Sequence, residues 1–122
     1  EAGKNIGAAG SNCTFVGFRS GYQLNTAQNT AVGAMALNST GAGADNTALG
    51  YNALLLNTAA NITAVGSQAL AANTTGTGNT ALGYSALNAI STSNDCTAVG
   101  FSALAAATGA SNTALGKGAL LS

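Results

Sequence analysis

The sequence predicts an all-β fold, a parallel β-solenoid of about seven coils that each span 16–17 residues. Three observations lead to this prediction. A short motif recurs seven times at nearly constant spacing, every copy contains a threonine and a glycine, and only 5% of the 122 residues are charged. A typical soluble domain is roughly 25% charged, so this chain has an unusually neutral surface.

The repeat unit is Thr-Ala-(Val/Leu)-Gly-x-x-Ala-Leu, followed by a polar loop of variable length. The threonines that begin the seven copies are Thr14, Thr30, Thr47, Thr63, Thr80, Thr97 and Thr113. The glycines that follow the Val/Leu position are Gly17, Gly33, Gly50, Gly66, Gly83, Gly100 and Gly116. Their nearly even spacing fits one glycine in each coil of a solenoid.

A longer period of two units lies over the basic repeat. The residue after the glycine alternates between an aromatic and a small side chain: Phe18, Ala34, Tyr51, Ser67 and Tyr84. Duplication of a two-unit block explains this alternation, and so does the need for large and small side chains to interdigitate between stacked coils. The two explanations are compatible.

A helical repeat explains the pattern less well, because every helix would contain a glycine, which costs about 1 kcal/mol relative to alanine. In a parallel β-solenoid each residue lies over its equivalent about 4.8 Å away, so identical residues form ladders. We expect strands of four or five residues, a threonine ladder, and a glycine corner that needs positive φ or close backbone approach. We also expect an amide ladder from the residues that precede four of the threonines: Asn29, Asn46, Asn79 and Asn112.

The interior of such a solenoid is expected to contain the Val/Leu positions and the leucine of each Ala-Leu pair. Burying one such side chain contributes roughly 1.5–3 kcal/mol, whereas ordering each backbone residue costs about 1–2 kcal/mol. A slim roll is therefore short of apolar contacts. We expect the alanine columns to pack against other copies of the chain, which predicts a homo-oligomer.

Residues 79–87 and 70–76 resemble the Asn-Thr-Ala-x-Gly-Tyr-x-Ala-Leu…Asn-Thr-Thr-Gly repeats of phage tail-fibre and bacterial surface proteins. Many of those proteins end in an endosialidase-type intramolecular chaperone domain. The repeats are similar, more distantly, to the head repeats of trimeric autotransporter adhesins, which are somewhat shorter. The resemblance implies a homotrimer of parallel β-rolls or β-helices, an extended fibre, and attachment to a host or a surface.

The sequence is expected to divide into a lead-in or partial coil, residues 1–12, and a repeat solenoid, residues 13–122. The chain is expected to be a segment of a longer protein. The resemblance implies a location in a virion tail fibre, or outside the cell or at its surface.

Composition argues against several classes of function. There is no histidine, and three scattered carboxylates offer little for acid–base or metal chemistry, so we expect no enzyme, no cofactor and no metal. No basic patch is present to neutralise phosphates, which argues against nucleic-acid binding. No apolar run approaches the roughly 18 residues of a membrane span, so we expect no membrane insertion.

The two cysteines, Cys13 and Cys96, occupy the column that asparagine usually holds. They are five coils apart, about 24 Å, so we expect no bridge within the chain and interpret them as small thiols that replace asparagine. Contact between equivalent cysteines across a trimer axis is the alternative. Asp45 and Asp95 each precede a predicted strand and are expected to be turn residues, with calcium binding in a surface loop as the alternative.

The repeat predicts a non-enzymatic shaft about 34 Å long, and the resemblance implies that this shaft is a rod-like section of a homotrimeric fibre. Its partners would be other copies of itself and a host-surface glycan or receptor. Tyr22, Tyr51 and Tyr84 are the candidates for ligand contact, since exposed tyrosines stack on sugars. The alternatives are a glycan-binding adhesin head, an ice-binding solenoid that uses the threonine ladder, and a tailspike-type enzyme whose carboxylates come from neighbouring chains.

Overall fold

The repeats fold as seven short parallel strands. A computed structural model describes residues 1–4, 11–39, 41–106 and 108–121, so residues 5–10 of the predicted lead-in lie outside the described residues. The strands are β1 (Thr14–Val16), β2 (Thr30–Val32), β3 (Thr47–Leu49), β4 (Thr63–Val65), β5 (Thr80–Leu82), β6 (Thr97–Val99) and β7 (Thr113–Leu115). The predicted all-β solenoid is confirmed, although each strand is three residues long rather than the predicted four or five.

The strands form one parallel sheet in the order β1-β2-β3-β4-β5-β6-β7, so each coil lies directly on the previous one. The register matches equivalent positions of the repeat. Between β3 and β4, for example, Thr47 pairs with Thr63 and Leu49 pairs with Val65. The prediction that equivalent residues of successive repeats are stacked is therefore confirmed.

The strands contribute alanine, not valine or leucine, to the interior. Side chains alternate along a strand, so the first and third residues share one face and the second points to the other. The buried second residues are Ala31, Ala48, Ala64, Ala81, Ala98 and Ala114. Two predictions were therefore wrong: the Val/Leu positions are not in the interior, and these alanines pack within their own chain rather than against another copy.

The Ala-Leu pair of each unit fills the opposite side of the interior. Ala53 and Leu54 are fully buried, as are their equivalents in the neighbouring coils. Leu54 has φ of +53°, a left-handed conformation that is unfavourable for leucine. In this conformation the Leu54 N–H donates to the Ala69 carbonyl of the next coil, 3.1 Å away. The preceding turn residue Asn52, at φ +57°, instead donates to Ala34 of the previous coil. These left-handed residues donate in turn to the previous and to the next coil, so hydrogen bonds between coils continue beyond the strands.

The glycine after each strand forms the corner of the coil. Gly50 has φ of +137°, and a Cβ built on it would lie 2.5 Å from the carbonyl oxygen of Gly66 in the next coil. Both physical reasons expected for the glycine, positive φ and close backbone approach, hold at this corner.

The asparagine column bonds to the backbone of its own loop and of the next coil instead of forming the predicted amide ladder. Oδ1 of Asn46 accepts the Ile62 N–H at 3.1 Å, while its Nδ2 donates to the carbonyls of Gly43 and Ala59 at 2.9 and 2.8 Å. A side-chain amide pair does occur in a second column that the repeat motif did not reveal. There Asn73 Nδ2 donates to Asn57 Oδ1 at 2.8 Å.

Candidate functional site

The outward surface of the seven-stranded sheet is a regular feature that repeats in every coil. We call it the strand face; it consists of the seven strand threonines and of an outer column at the third strand position. The outer column contains Val16, Val32, Leu49, Val65, Leu82, Val99 and Leu115. Leu49, Leu82 and Leu115 are 45, 47 and 79% exposed. The strand face therefore offers a continuous apolar stripe beside a line of hydroxyl groups.

The threonine ladder is present, but its hydroxyls do not bond to one another. Within the described part of the chain, no strand threonine makes a side-chain hydrogen bond. Stacked residues repeat at about 4.8 Å, and the short threonine side chains do not bridge that spacing with a hydrogen bond. The threonine hydroxyls are available to solvent or to a partner.

The residues that follow the corner glycines form a second surface column, which we call the corner column. Its members are Phe18, Ala34, Tyr51, Ser67, Tyr84, Phe101 and Lys117. The rings of Tyr84 and Phe101, in adjacent coils, stack with centroids 5.1 Å apart and an interplanar angle of 15°. At the end of the column, Lys117 Nζ lies 5.8 Å from the Phe101 centroid. The column is thus an aromatic strip with small residues at two of its positions.

The structure brings two of the three predicted ligand-contact tyrosines together. Tyr51 and Tyr84 lie in the corner column, two coils apart, and each is about half exposed. Tyr22 lies outside this column and is half-buried, with the Arg19 guanidinium 5.3 Å from its ring centroid. The same guanidinium lies 5.4 Å from the Phe18 ring, so it covers both rings at this end of the solenoid.

The ionisable groups do not assemble into a reactive centre among the described residues. Glu1 and Lys4 form an exposed ion pair at 2.9 Å; their hydrogen bond lowers the pKa of Glu1 and raises the pKa of Lys4. Asp45 and Asp95 are turn residues before β3 and β6, with φ of +61° and +56°. The described part of the chain contains no group of three or more His, Cys, Asp or Glu placed to hold a metal ion.

The cysteines behave as replacements for asparagine. Cys13 Sγ accepts the Asn29 N–H at 3.4 Å, the position at which an asparagine Oδ1 serves elsewhere in the column. Cys96 is buried, and its Sγ donates to the Gly109 carbonyl of the next coil at 3.5 Å. Both thiols are free. Both thiols therefore hydrogen-bond to the backbone of the next coil, as the asparagines of this column do.

The orientation of the outer column is the feature that sequence reasoning missed. The alternation along Thr-Ala-Val/Leu indicates that threonine and Val/Leu share a face, and threonine is the residue that favours solvent. The hydrophobicity of valine and leucine alone indicated that the outer column would lie in the interior.

Among the residues described, no helix is long and apolar enough to cross a membrane. The chain matches no family model, and no curated protein or solved structure shows significant similarity to it.

Proposed function

We propose that the chain is a non-enzymatic structural segment of a homotrimeric fibre, a phage tail fibre or a surface adhesin, in which copies pack through their strand faces. The observation that supports this most directly is the outer column. It places a valine or leucine at the surface in each of the seven coils, on a face whose strands carry no charge. Extended exposed apolar patches of this kind mark interaction surfaces.

Another copy of the chain is the partner that fits the strand face best. The stripe repeats with the pitch of the coils, about 4.8 Å, and an identical chain lying alongside repeats with the same pitch. Closed packing around a shared axis would bury the outer column of every copy. The number three follows from the resemblance to tail-fibre and adhesin repeats.

A structural role also agrees with the distribution of reactive groups. Asp45 and Asp95 lie three coils apart, about 14 Å along the solenoid, so they do not form a carboxylate pair within one chain. The buried polar groups that carry hydrogen bonds, such as Asn46 and Asn29, bond to the backbone of neighbouring coils. These side chains hold the coils together, and stacking of the coils produces the rod.

The native mass of the chain tests this proposal, measured by sedimentation equilibrium or native mass spectrometry. We expect a trimer for the unmodified chain. In the double variant Leu49→Ser/Leu82→Ser, two half-exposed leucines are replaced on the strand face. This variant should keep the β-sheet circular dichroism of the parent, because exposed substitutions usually change stability by about 0.5 kcal/mol or less. It should nevertheless sediment as a monomer or a weak oligomer.

The matched control is Thr47→Ser/Thr80→Ser, which changes the same face and the same two strands but keeps the hydroxyls. It should retain the mass of the unmodified chain. A monomeric unmodified chain would contradict the proposal, and so would a leucine variant that assembles as well as the control.

A further inference from the structure

The aromatic stack of the corner column is interrupted between Tyr51 and Tyr84. Tyr84 and Phe101, in adjacent coils, stack at 5.1 Å. Tyr51 lies two coils before Tyr84, with Ser67 in the coil between them. Two coils span about 10 Å, so an open position one ring thick lies over Ser67. We call this position the Ser67 gap.

The Ser67 gap has the dimensions of a site for one flat ring. A ring midway between the tyrosines would lie about 5 Å from each, within the roughly 4.5–7 Å at which stacked rings are found. Tyr51 and Tyr84 are 50 and 47% exposed, so the gap is open to solvent. The observed stack of Tyr84 on Phe101 shows the geometry that rings adopt on this column.

The groups beside the Ser67 gap are polar but uncharged. Gln68 follows Ser67 in the same coil, and its Oε1 lies 3.4 Å from the Ser85 hydroxyl of the next coil. The Gln68 amino group makes no hydrogen bond with the described residues, which leaves two N–H donors for a ligand. No charged residue occurs between positions 46 and 94.

A second gap, at Ala34, provides an internal comparison. It lies between Phe18 and Tyr51, with the same two-coil spacing, but its small residue has no hydroxyl and is followed by Met35. Near this gap the Arg19 guanidinium covers the Phe18 ring. Of the two gaps, the Ser67 gap is the one that combines two aromatic walls with uncharged hydrogen-bonding groups.

We propose that the Ser67 gap binds one pyranose ring of a neutral saccharide. The C–H faces of a pyranose are weakly positive and fit against the negative faces of Tyr51 and Tyr84. Its equatorial hydroxyls accept from the Gln68 amino group and exchange hydrogen bonds with the Ser67 hydroxyl. A nucleotide would stack equally well, but its phosphate would find no cation between positions 46 and 94. An aromatic ring from another copy would leave the polar groups without a role.

This site goes beyond the proposed shaft function, because it lies on the corner column and fibre assembly uses the outer column. The probes are methyl β-D-glucopyranoside and methyl β-D-galactopyranoside, tested on the full chain by saturation-transfer NMR. We expect transfer to the ring C–H protons of at least one glycoside, with a dissociation constant on the order of 1 mM.

The decisive variant is Ser67→Tyr, which fills the gap with a side chain that continues the stack. It should weaken binding by about tenfold or more, while Ala34→Tyr fills the comparison gap and should leave binding unchanged. Tyr84→Leu, which removes one aromatic wall, provides a second test if Ser67→Tyr does not fold. It should also weaken binding by about tenfold.

Absence of saturation transfer from both glycosides at about 50 mM would overturn the proposal, as would equal binding by Ser67→Tyr and the unmodified chain. If Ser67→Tyr instead changes the native mass and leaves sugar binding intact, a ring of another copy occupies the gap, and the proposal is wrong. Native mass is measured on the same samples. A monomer that binds sugar would contradict only the fibre proposal, and a trimer that does not bind would contradict only this site.

Discussion

The corner glycines show how one residue type limits what the repeat tolerates. Gly50→Ala places a methyl group 2.5 Å from the Gly66 carbonyl oxygen and holds alanine at φ of +137°. Overpacking costs about 1–3 kcal/mol and strained backbone about 1–3 kcal/mol, so we expect a loss of roughly 3 kcal/mol or more. The free energy of unfolding in urea measures this loss.

Gly116→Ala is the matched control, because Gly116 has a similar φ of +121° but nothing within 4 Å of the point where the new methyl group would lie. It should show only the backbone strain, about 1–3 kcal/mol. Equal losses of stability in the two variants would mean that the close contact between coils at Gly50 adds nothing to the cost of the new methyl group.

The asparagine column allows a reciprocal test at single-residue scale. Asn79 Oδ1 accepts the N–H of Cys96 at 2.9 Å. Cys96→Asn would supply the same acceptor to Asn112 of the next coil, and we expect it to stabilise the fold by about 1 kcal/mol. Asn79→Cys should destabilise it by a similar amount, because the thiol is the weaker acceptor. Thermal unfolding of both variants provides the measurement. A destabilised Cys96→Asn variant or a stabilised Asn79→Cys variant would contradict the interpretation of these cysteines as asparagine replacements.

That interpretation was available from the sequence, because the cysteines stand in the asparagine column. The bonding partners of the asparagines were not. Asn46 donates to Gly43 and Ala59, which lie in loops whose lengths vary between coils. Spacing predicts which residues are stacked, but it does not predict where a loop carbonyl points. The Asn57–Asn73 pair was missed for the same reason, since its position follows a loop rather than the repeat motif.

At the scale of the strand, adjacent residues lie on opposite sides of the sheet, one buried and one facing outward. A pair of matched substitutions at two adjacent positions of β4 tests this placement. Val65→Leu changes the outer column and introduces the residue that Leu49 already has in the paired position, so we expect a change of about 0.5 kcal/mol or less. Ala64→Leu enlarges a fully buried residue in a narrow interior, and we expect a loss of about 1–3 kcal/mol or more. Equilibrium unfolding distinguishes them; a larger loss from Val65→Leu would restore the inward assignment of the outer column.

The strands also show why length was overestimated while the register was correct. Identical letters at equivalent positions determine the register, so the pairing of Thr47 with Thr63 follows directly from the repeat. Strand length depends on where the backbone leaves the extended region. Gly50 at φ of +137° and Asp45 at +61° bound β3 closely, and only the left-handed preference of glycine and of Asp or Asn hints at this in the sequence.

At the scale of the whole molecule, the solenoid is a one-dimensional stack in which each coil contacts its neighbours. Deleting residues 51–83 removes two complete units and joins Gly50 to Tyr84, which reproduces the original Gly50–Tyr51 junction. Thr97 then follows Thr47 at the spacing of one coil. We expect a folded protein that is shorter by two coils, about 10 Å, and small-angle X-ray scattering measures this difference in length.

A deletion that ignores the coil repeat provides the control. Removing residues 51–75 places Thr80 only half a coil after Thr47, which is too little chain to travel around one coil. This variant retains more of the chain than the two-unit deletion, yet we expect it to lose cooperative unfolding. Stability then depends on whether the coils remain in register, because each coil satisfies its hydrogen bonds only through its neighbours. If the longer deletion were instead the more damaging one, the coils would not be interchangeable units and the rod could not vary in length by adding or removing them.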